Sequence, residues 1–244
     1  MSRLIAMFKN IFQIQFKYLF HWSLVRINKN SNFHIAKGVK ISNSKIFVTK
    51  GSSLSIGENT IIKNTHLYVN GNVTIGNNNI IDNGYMNSKL DFNIDGDFNL
   101  GNYNRIRSKI WLRFNGKLEI RDRNNINEET EIRCDENIFI GSYNQISYKC
   151  SIWDTNTHNI YNDAKRRELT DNFFPIFGYE FEKPRTKAVH IGDDCWISKD
   201  VAILKGVIIN NSSVIGYRAT LSNCEVLSNK VVVQKIENSF HDRE

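Results

Sequence analysis

IGDDCWISKDVAILKGVIINNSSVIGYRATLSNCEVLSNKVVV, residues 191–233, carries an aliphatic side chain at every sixth place: Ile191, Ile197, Ile203, Ile209, Ile215, Leu221, Leu227 and Val233. The fifth place of each hexad is small or compact, at Cys195, Val201, Val207, Ser213 and Ala219, and Gly192 and Gly216 hold second places. An α-helix needs a period near 3.6 and a simple strand a period of 2, so neither accounts for a period of six. Short edges of six residues, stacked three to a turn, do account for it. Each edge sends one aliphatic side chain into a narrow triangular interior, and each corner takes a small or turn-forming residue. A turn then takes about 18 residues.

Working upstream, the same series continues through Ile56 and Ile62, Ile75 and Ile81, and Leu100 and Ile106. It goes on through Ile120, Ile126 and Ile132, then Ile140, Ile146 and Ile152. The starting points Ile56, Ile75, Leu100, Ile120 and Ile140 stand 19, 25, 20 and 20 residues apart, so these turns carry extra corner residues. The Asn-rich corners (Asn77 to Asn79, Asn102 and Asn104, Asn124 and Asn125) suit left-handed backbone and side-chain ladders between turns. The whole describes an all-β solenoid rather than a sandwich. Periodicity is silent on its handedness.

The totals agree with a single core. The chain has 244 residues, abundant Asn and only two prolines, a mixture that favours strands and turns over helices. Cys134, Cys150, Cys195 and Cys224 show no CxxC spacing and no disulfide density, which points to reduced thiols and a cytoplasmic setting. A formal charge of +7 and a pI near 9.2 suit nucleic acid, an anionic membrane or an acidic substrate. No nucleic-acid-binding motif accompanies the charge, so no nucleic-acid partner is expected.

Residues 1–30 read as an amphipathic helix, with Leu4, Ile5, Phe8, Ile11, Phe12, Phe16, Leu19 and Phe20 at helical spacing among Lys9, Gln13, Gln15 and Lys17. Those polar residues exclude a transmembrane span. Capping the open end of the solenoid is one role for such a helix, and docking on an anionic membrane face, at the inner face of the membrane, is another. The expected organisation is therefore the helix at 1–30, a β-helix domain over 31–236 with a loop at 159–188, and a tail at 237–244.

The ladder breaks once. After Ile140, Ile146 and Ile152 the next register place is His158, and the series resumes only at Ile191. Between them runs a basic and aromatic excursion, and a loop extruded from a solenoid lies over the cleft beside it. Imidazole titrates nearest neutrality, which suits it to act as a general base. Asp154 or a backbone carbonyl is a candidate to hold its second ring nitrogen. The loop cations Lys165, Arg166, Arg167, Lys183, Arg185 and Lys187 match an anionic glycan such as a sialic acid polymer, or simply a solvated loop.

The hexads headed by IGDDCWIS resemble the hexapeptide-repeat acyltransferases, and the string Trp153-Asp154-Thr155-Asn156-Thr157-His158, followed by Pro184 and Ile191-Gly192 with Trp196-Ile197, is similar to their sugar and polysaccharide O-acetyltransferase branch. The resemblance implies a left-handed parallel β-helix, a homotrimer with sites between subunits, and acetyl-CoA as co-substrate with no metal. It implies His158 as general base and Trp196 against the thioester. Ser198, Gly216, Arg218, Ala219 and Lys235 would hold CoA. Asn127 would orient the acceptor sugar beside the cations Lys165, Arg166 and Arg185. One departure stands out: the family's closing Gly-Asn-Pro-Ala-Lys loop is replaced by Val231-Val232-Val233-Gln234-Lys235-Ile236.

Other readings of the same fold are a non-catalytic binding module, an N-acyltransferase acting on a nucleotide-linked amino sugar, and a γ-type carbonic anhydrase. Ice binding would need a flat array of Thr, which is missing. The anhydrase needs three converging histidines, and His158 has no suitably spaced companions.

Overall fold

A computed structural model describes residues 19–84, 86, 88–178 and 181–235. It is a parallel β-helix with three faces. One face is a ten-stranded sheet, and the other two merge into a sheet of sixteen because Leu90–Leu100 and Lys109–Ile120 run unbroken through a corner. Every pairing between its strands is parallel, as a chain that climbs one turn at a time requires.

The interior follows the hexads. On the first face Ile41, Ile62, Ile81, Ile106, Ile126, Ile146, Ile197 and Ile215 are register partners on successive turns, and all are buried. Ile56, Ile75, Leu100, Ile120, Ile140, Ile191 and Ile209 do the same on the third face. Each such side chain removed from water contributes about 1.5–3 kcal/mol before entropy is counted, so the stack acts as the one core of the domain.

The period slips at the end. Val226, not Leu227, pairs with Ile209, and Val232, not Val233, pairs with Ile215. Leu227 and Val233 are exposed. The Ser222–Cys224 corner is one residue short, and a one-residue slip in a strand turns every side chain to the other face.

Two further expectations change. Residues 19–30 are not helical: Leu19–His21 and Leu24–Ile27 are strands of the first turn, the latter in register with Lys45–Val48. Leu24, Val25 and Arg26 alternate out, in, out, a strand period, which overrides the helical spacing read across the segment. The part of that expectation on residues 1–18, like the tail at 237–244, lies outside the described residues.

The Asn-rich corners divide their labour differently from the expectation. The left-handed positions there fall on Asn78, Tyr103, Arg123 and Tyr143. Asn79, Asn104, Asn124 and Asn144 point inward instead. Each side-chain oxygen accepts the backbone N–H of the next turn's equivalent, from Asn104, Asn124, Asn144 and finally Cys195. A buried amide placed this way satisfies corner donors that the strands leave unpaired.

Candidate active site

The excursion leaves the second face after Ser151–Trp153 and rejoins the coil at Val189–Ile191. Thr155 and Thr186 form an antiparallel bridge, and Asn156 N–H donates to the Arg185 carbonyl (3.0 Å), so the excursion is clamped at its neck. The Lys205 ammonium donates to the Asn156 side chain from the turn below. Within the excursion Asp163–Phe173 is an α-helix, where a loop was expected. Asn162 caps it by accepting from Lys165 N–H (2.9 Å), and Asp163 in the first turn favours the helix dipole. Only Leu169 of the helix is buried, so its apolar periodicity is too thin to read from sequence.

His158 ends a compact hydrogen-bonded pedestal. Asp154 is fully buried, and its carboxylate accepts the N–H groups of Asp135 (2.8 Å), Glu136 (2.8 Å) and Asn137 (2.7 Å). Asp135 in turn holds the Arg113 guanidinium at two points (3.0 and 2.6 Å) and the Thr155 hydroxyl (2.6 Å). Arg113 donates to the Thr157 carbonyl (2.8 Å), and Thr157 N–H donates to the Thr155 hydroxyl (3.0 Å). Every link converges on the residue before His158.

That residue is strained. Thr157 has φ +70°, an outlier for a β-branched side chain that costs of order 1–3 kcal/mol. Arg113 and Thr155 hold its carbonyl and N–H in place. The next residue, His158, is exposed, with Nδ1 3.2 Å from the Asn159 carbonyl oxygen. A backbone carbonyl at that ring nitrogen favours the tautomer that leaves Nε2 as acceptor.

This corrects the expected role of Asp154. Its oxygens serve backbone donors and it is shielded from solvent, so it positions the turn rather than the imidazole. Burial pushes its carboxyl above the ordinary range, against the downward pull of the backbone donors. Arg113, Asp135 and Thr155, which do the positioning, are the residues that sequence reading missed. Their signal was faint: Arg113 and Asp135 lie about one irregular turn apart, and only the exact turn lengths show that they meet.

The residues expected at CoA gather elsewhere. Ladder bonds stack Asn127, Ser147, Ser198 and Gly216 on successive turns at the corner after the first face, each N–H donating to the strand end one turn on. Trp196 stands two residues before Ser198, pointing outward and 57% exposed. At this corner Arg218 is left-handed (φ +59°), its guanidinium lies over the Tyr217 ring, and Ala219 is buried. A Cβ on Gly216 would come within 2.8 Å of the Val232 carbonyl oxygen. Lys235 is exposed at the end of the described chain. The second face separates this corner from the one that carries His158, so a single chain does not bring the two sets together, and Asn127 is not beside His158.

The loop cations are on the protrusion. Lys165 pairs with Glu168 (3.5 Å) and Arg166 with Asp163 (3.3 Å), both within the helix, and Arg185 is exposed at the neck. Among the described residues no group of His, Cys, Asp or Glu is placed to hold a metal ion, and no helix is long and apolar enough to cross a membrane. Burial pushes the Cys134, Cys150 and Cys195 thiols up, which makes them inert wall material.

No protein-family model and no curated relative matches the chain. Among solved structures it is similar to the polysialic-acid-specific acetyltransferase NeuO, at 18% identity and TM-score 0.46 over 86% of this chain and 81% of that one. It is also similar to the polysialic acid O-acetyltransferase OatWY, at 19% and 0.44 over 91% and 93%. An Arabidopsis UDP-N-acetylglucosamine acyltransferase follows at 13% and 0.46, over 89% and 64%. At this level of likeness no residue role passes from those proteins to this chain.

Proposed function

We propose that the protein is an O-acetyltransferase that moves an acetyl group from acetyl-CoA to a sugar hydroxyl of a surface glycan, a capsule or lipopolysaccharide chain of acidic, sialic-acid-like character. The observation that carries this reading is the exposed imidazole of His158, presented by a strained Thr157 where the excursion interrupts the ladder. Strain held in place by a closed network marks a position under functional constraint.

In the reaction the Nε2 lone pair takes the proton of the acceptor hydroxyl as its oxygen attacks the thioester carbonyl. The tetrahedral intermediate then expels the CoA thiolate, which recovers the proton from imidazolium. No charge is left on the protein at the end of the cycle. Trp196, Ser198, Gly216, Arg218, Ala219 and Lys235 are the groups proposed to hold the donor, with the cations Arg218 and Lys235 at its phosphates.

Because those groups and His158 occupy different corners, the proposed working unit is a homotrimer in which one chain's His158 corner faces another chain's first face. The apolar side chains Ile160, Phe174 and Ile176 on the protrusion are 92%, 73% and 73% exposed, which supports a covering subunit. The proposed location is the cytoplasm, at the inner face of the membrane through residues 1–18.

The test is thiol release from acetyl-CoA with a panel of neutral and acidic glycans, with product mass read alongside. Acceptor-dependent thiol release with a matching gain of one acetyl group is expected. Thiol release that no glycan stimulates would remove the proposal.

A further inference from the structure

Along the second face the outward side chains fall into a column. Phe47 lies beside Tyr68, then come Asn93, Trp111, Arg133 and Trp153, each a register partner of the one before. Five inter-strand steps of about 4.8 Å make this track roughly 24 Å long. Its lower end, Trp153, directly precedes Asp154 and so stands at the foot of the pedestal under His158. Over its upper part opens a groove of about 660 Å³ lined by Phe47, Tyr68 and Trp111, with Lys45, His66 and Asp91 alongside.

The chemistry of the track is mixed in a particular way. Cations lie among the rings: the guanidinium of the buried Arg133 lies 4.4 Å and the Lys109 ammonium 5.0 Å from the Trp111 ring centroid. Lys45 is exposed and has no ion pair among the described residues. His66 Nε2 and Trp153 Nε1 are buried without a hydrogen-bond partner among the described residues, and a buried polar nitrogen in that state calls for a ligand or solvent group to complete it. Asp91 lies 3.3 Å from His66 Nδ1, and Glu131 lies 3.1 Å from Lys109.

We propose that this track binds an extended acidic oligosaccharide, the chain to which the hydroxyl acetylated at His158 belongs; the inference rests on the function proposed above and names its substrate as a polymer. Ring faces take the apolar faces of pyranoses, Lys45 takes a carboxylate, and the unpartnered nitrogens and Asn93 take hydroxyls. A single-stranded nucleic acid would also use rings and cations. The carboxylates of Asp91 and Glu131 favour the sugar, because they accept from hydroxyl donors, which a deoxyribose-phosphate backbone lacks. The column also ends where the chemistry begins. Below the excursion no strand pairing continues from Trp153 among the described residues, and the neighbouring column runs on from Ser151 through Ala202 and Thr220, which are small.

The experiment titrates the full chain with oligosialic acids of increasing length, with maltooligosaccharides and oligodeoxythymidine as comparisons, by calorimetry and tryptophan fluorescence. Affinity for the acidic sugar is expected to rise with chain length. It should fall at least about tenfold in Tyr68→Ala and in Lys45→Glu. Both altered positions are exposed, and circular dichroism checks that the coil is intact. Native-like binding by the two track variants overturns the proposal, as does tighter binding of either comparison ligand or no binding by the native chain. Acetyl transfer is scored separately. Transfer to a monosaccharide without chain binding sinks the track alone, whereas chain binding without transfer to any acceptor sinks the catalytic reading and leaves the track standing.

Discussion

Above the excursion the second face is long-stranded and decorated; below it, the same face is short-stranded and plain. The upper turns are of uneven length, run strands of up to twelve residues at Lys109–Ile120, and project Phe47, Tyr68 and Trp111 from the second face. The lower turns use two-residue strands such as Ala202–Ile203 and Thr220–Leu221, with small side chains outside. Both share one core. The difference shows that interior packing demands only the inward hexad residue, which leaves turn length and outward side chains free to be shaped by recognition.

The sharpest way to break the comparison is at the pedestal, where the two regions meet. Arg113→Ala leaves Asp135 buried without its cation and frees the Thr157 carbonyl. A loss of about 3–5 kcal/mol is expected in urea unfolding, with transfer activity falling alongside. Unchanged stability would show that the network is not closed as described.

Core truncations should be blind to the boundary. Ile132→Ala above the excursion and Ile203→Ala below it each remove a fully buried side chain, and each is expected to cost about 2–5 kcal/mol. A cost confined to one half would mean that the halves unfold separately, contrary to a single continuous core.

Asp154→Asn keeps the shape but places an amide where backbone donors converge, so a loss of about 1–3 kcal/mol is expected. Its pH dependence carries a sign. Because the folded chain holds this carboxyl above its ordinary value, the contribution to stability is full below the ordinary carboxylate range and is lost as pH rises through the raised value. The native chain's advantage over the Asn variant should therefore shrink as pH rises above the ordinary carboxylate range, about pH 4. An advantage that grew with pH would reverse the direction assigned.

What the sequence displayed and what it hid follow the same division. Ile191 to Leu221 could be read directly because each inward side chain recurs at a constant step, and His158 was conspicuous because it interrupts that step. The slip at Leu227 was invisible, since Val226 and Leu227 are both aliphatic and only the corner decides which turns inward. The helix Asp163–Phe173 was hidden by its polarity, although Asn162 and Asp163 are an N-terminal signature. Arg113 and Trp111 meet Asp135 and Arg133 across steps of about 22 residues, longer than the hexad period allows, so outward columns emerge only once each turn's length is known.

The central claim is that His158 is the base, and the most direct measurement is glycan-stimulated thiol release by His158→Ala beside the native chain. The account predicts a fall of at least about 100-fold in kcat/KM with the coil intact by circular dichroism. Activity that survives the substitution to within about threefold would contradict it.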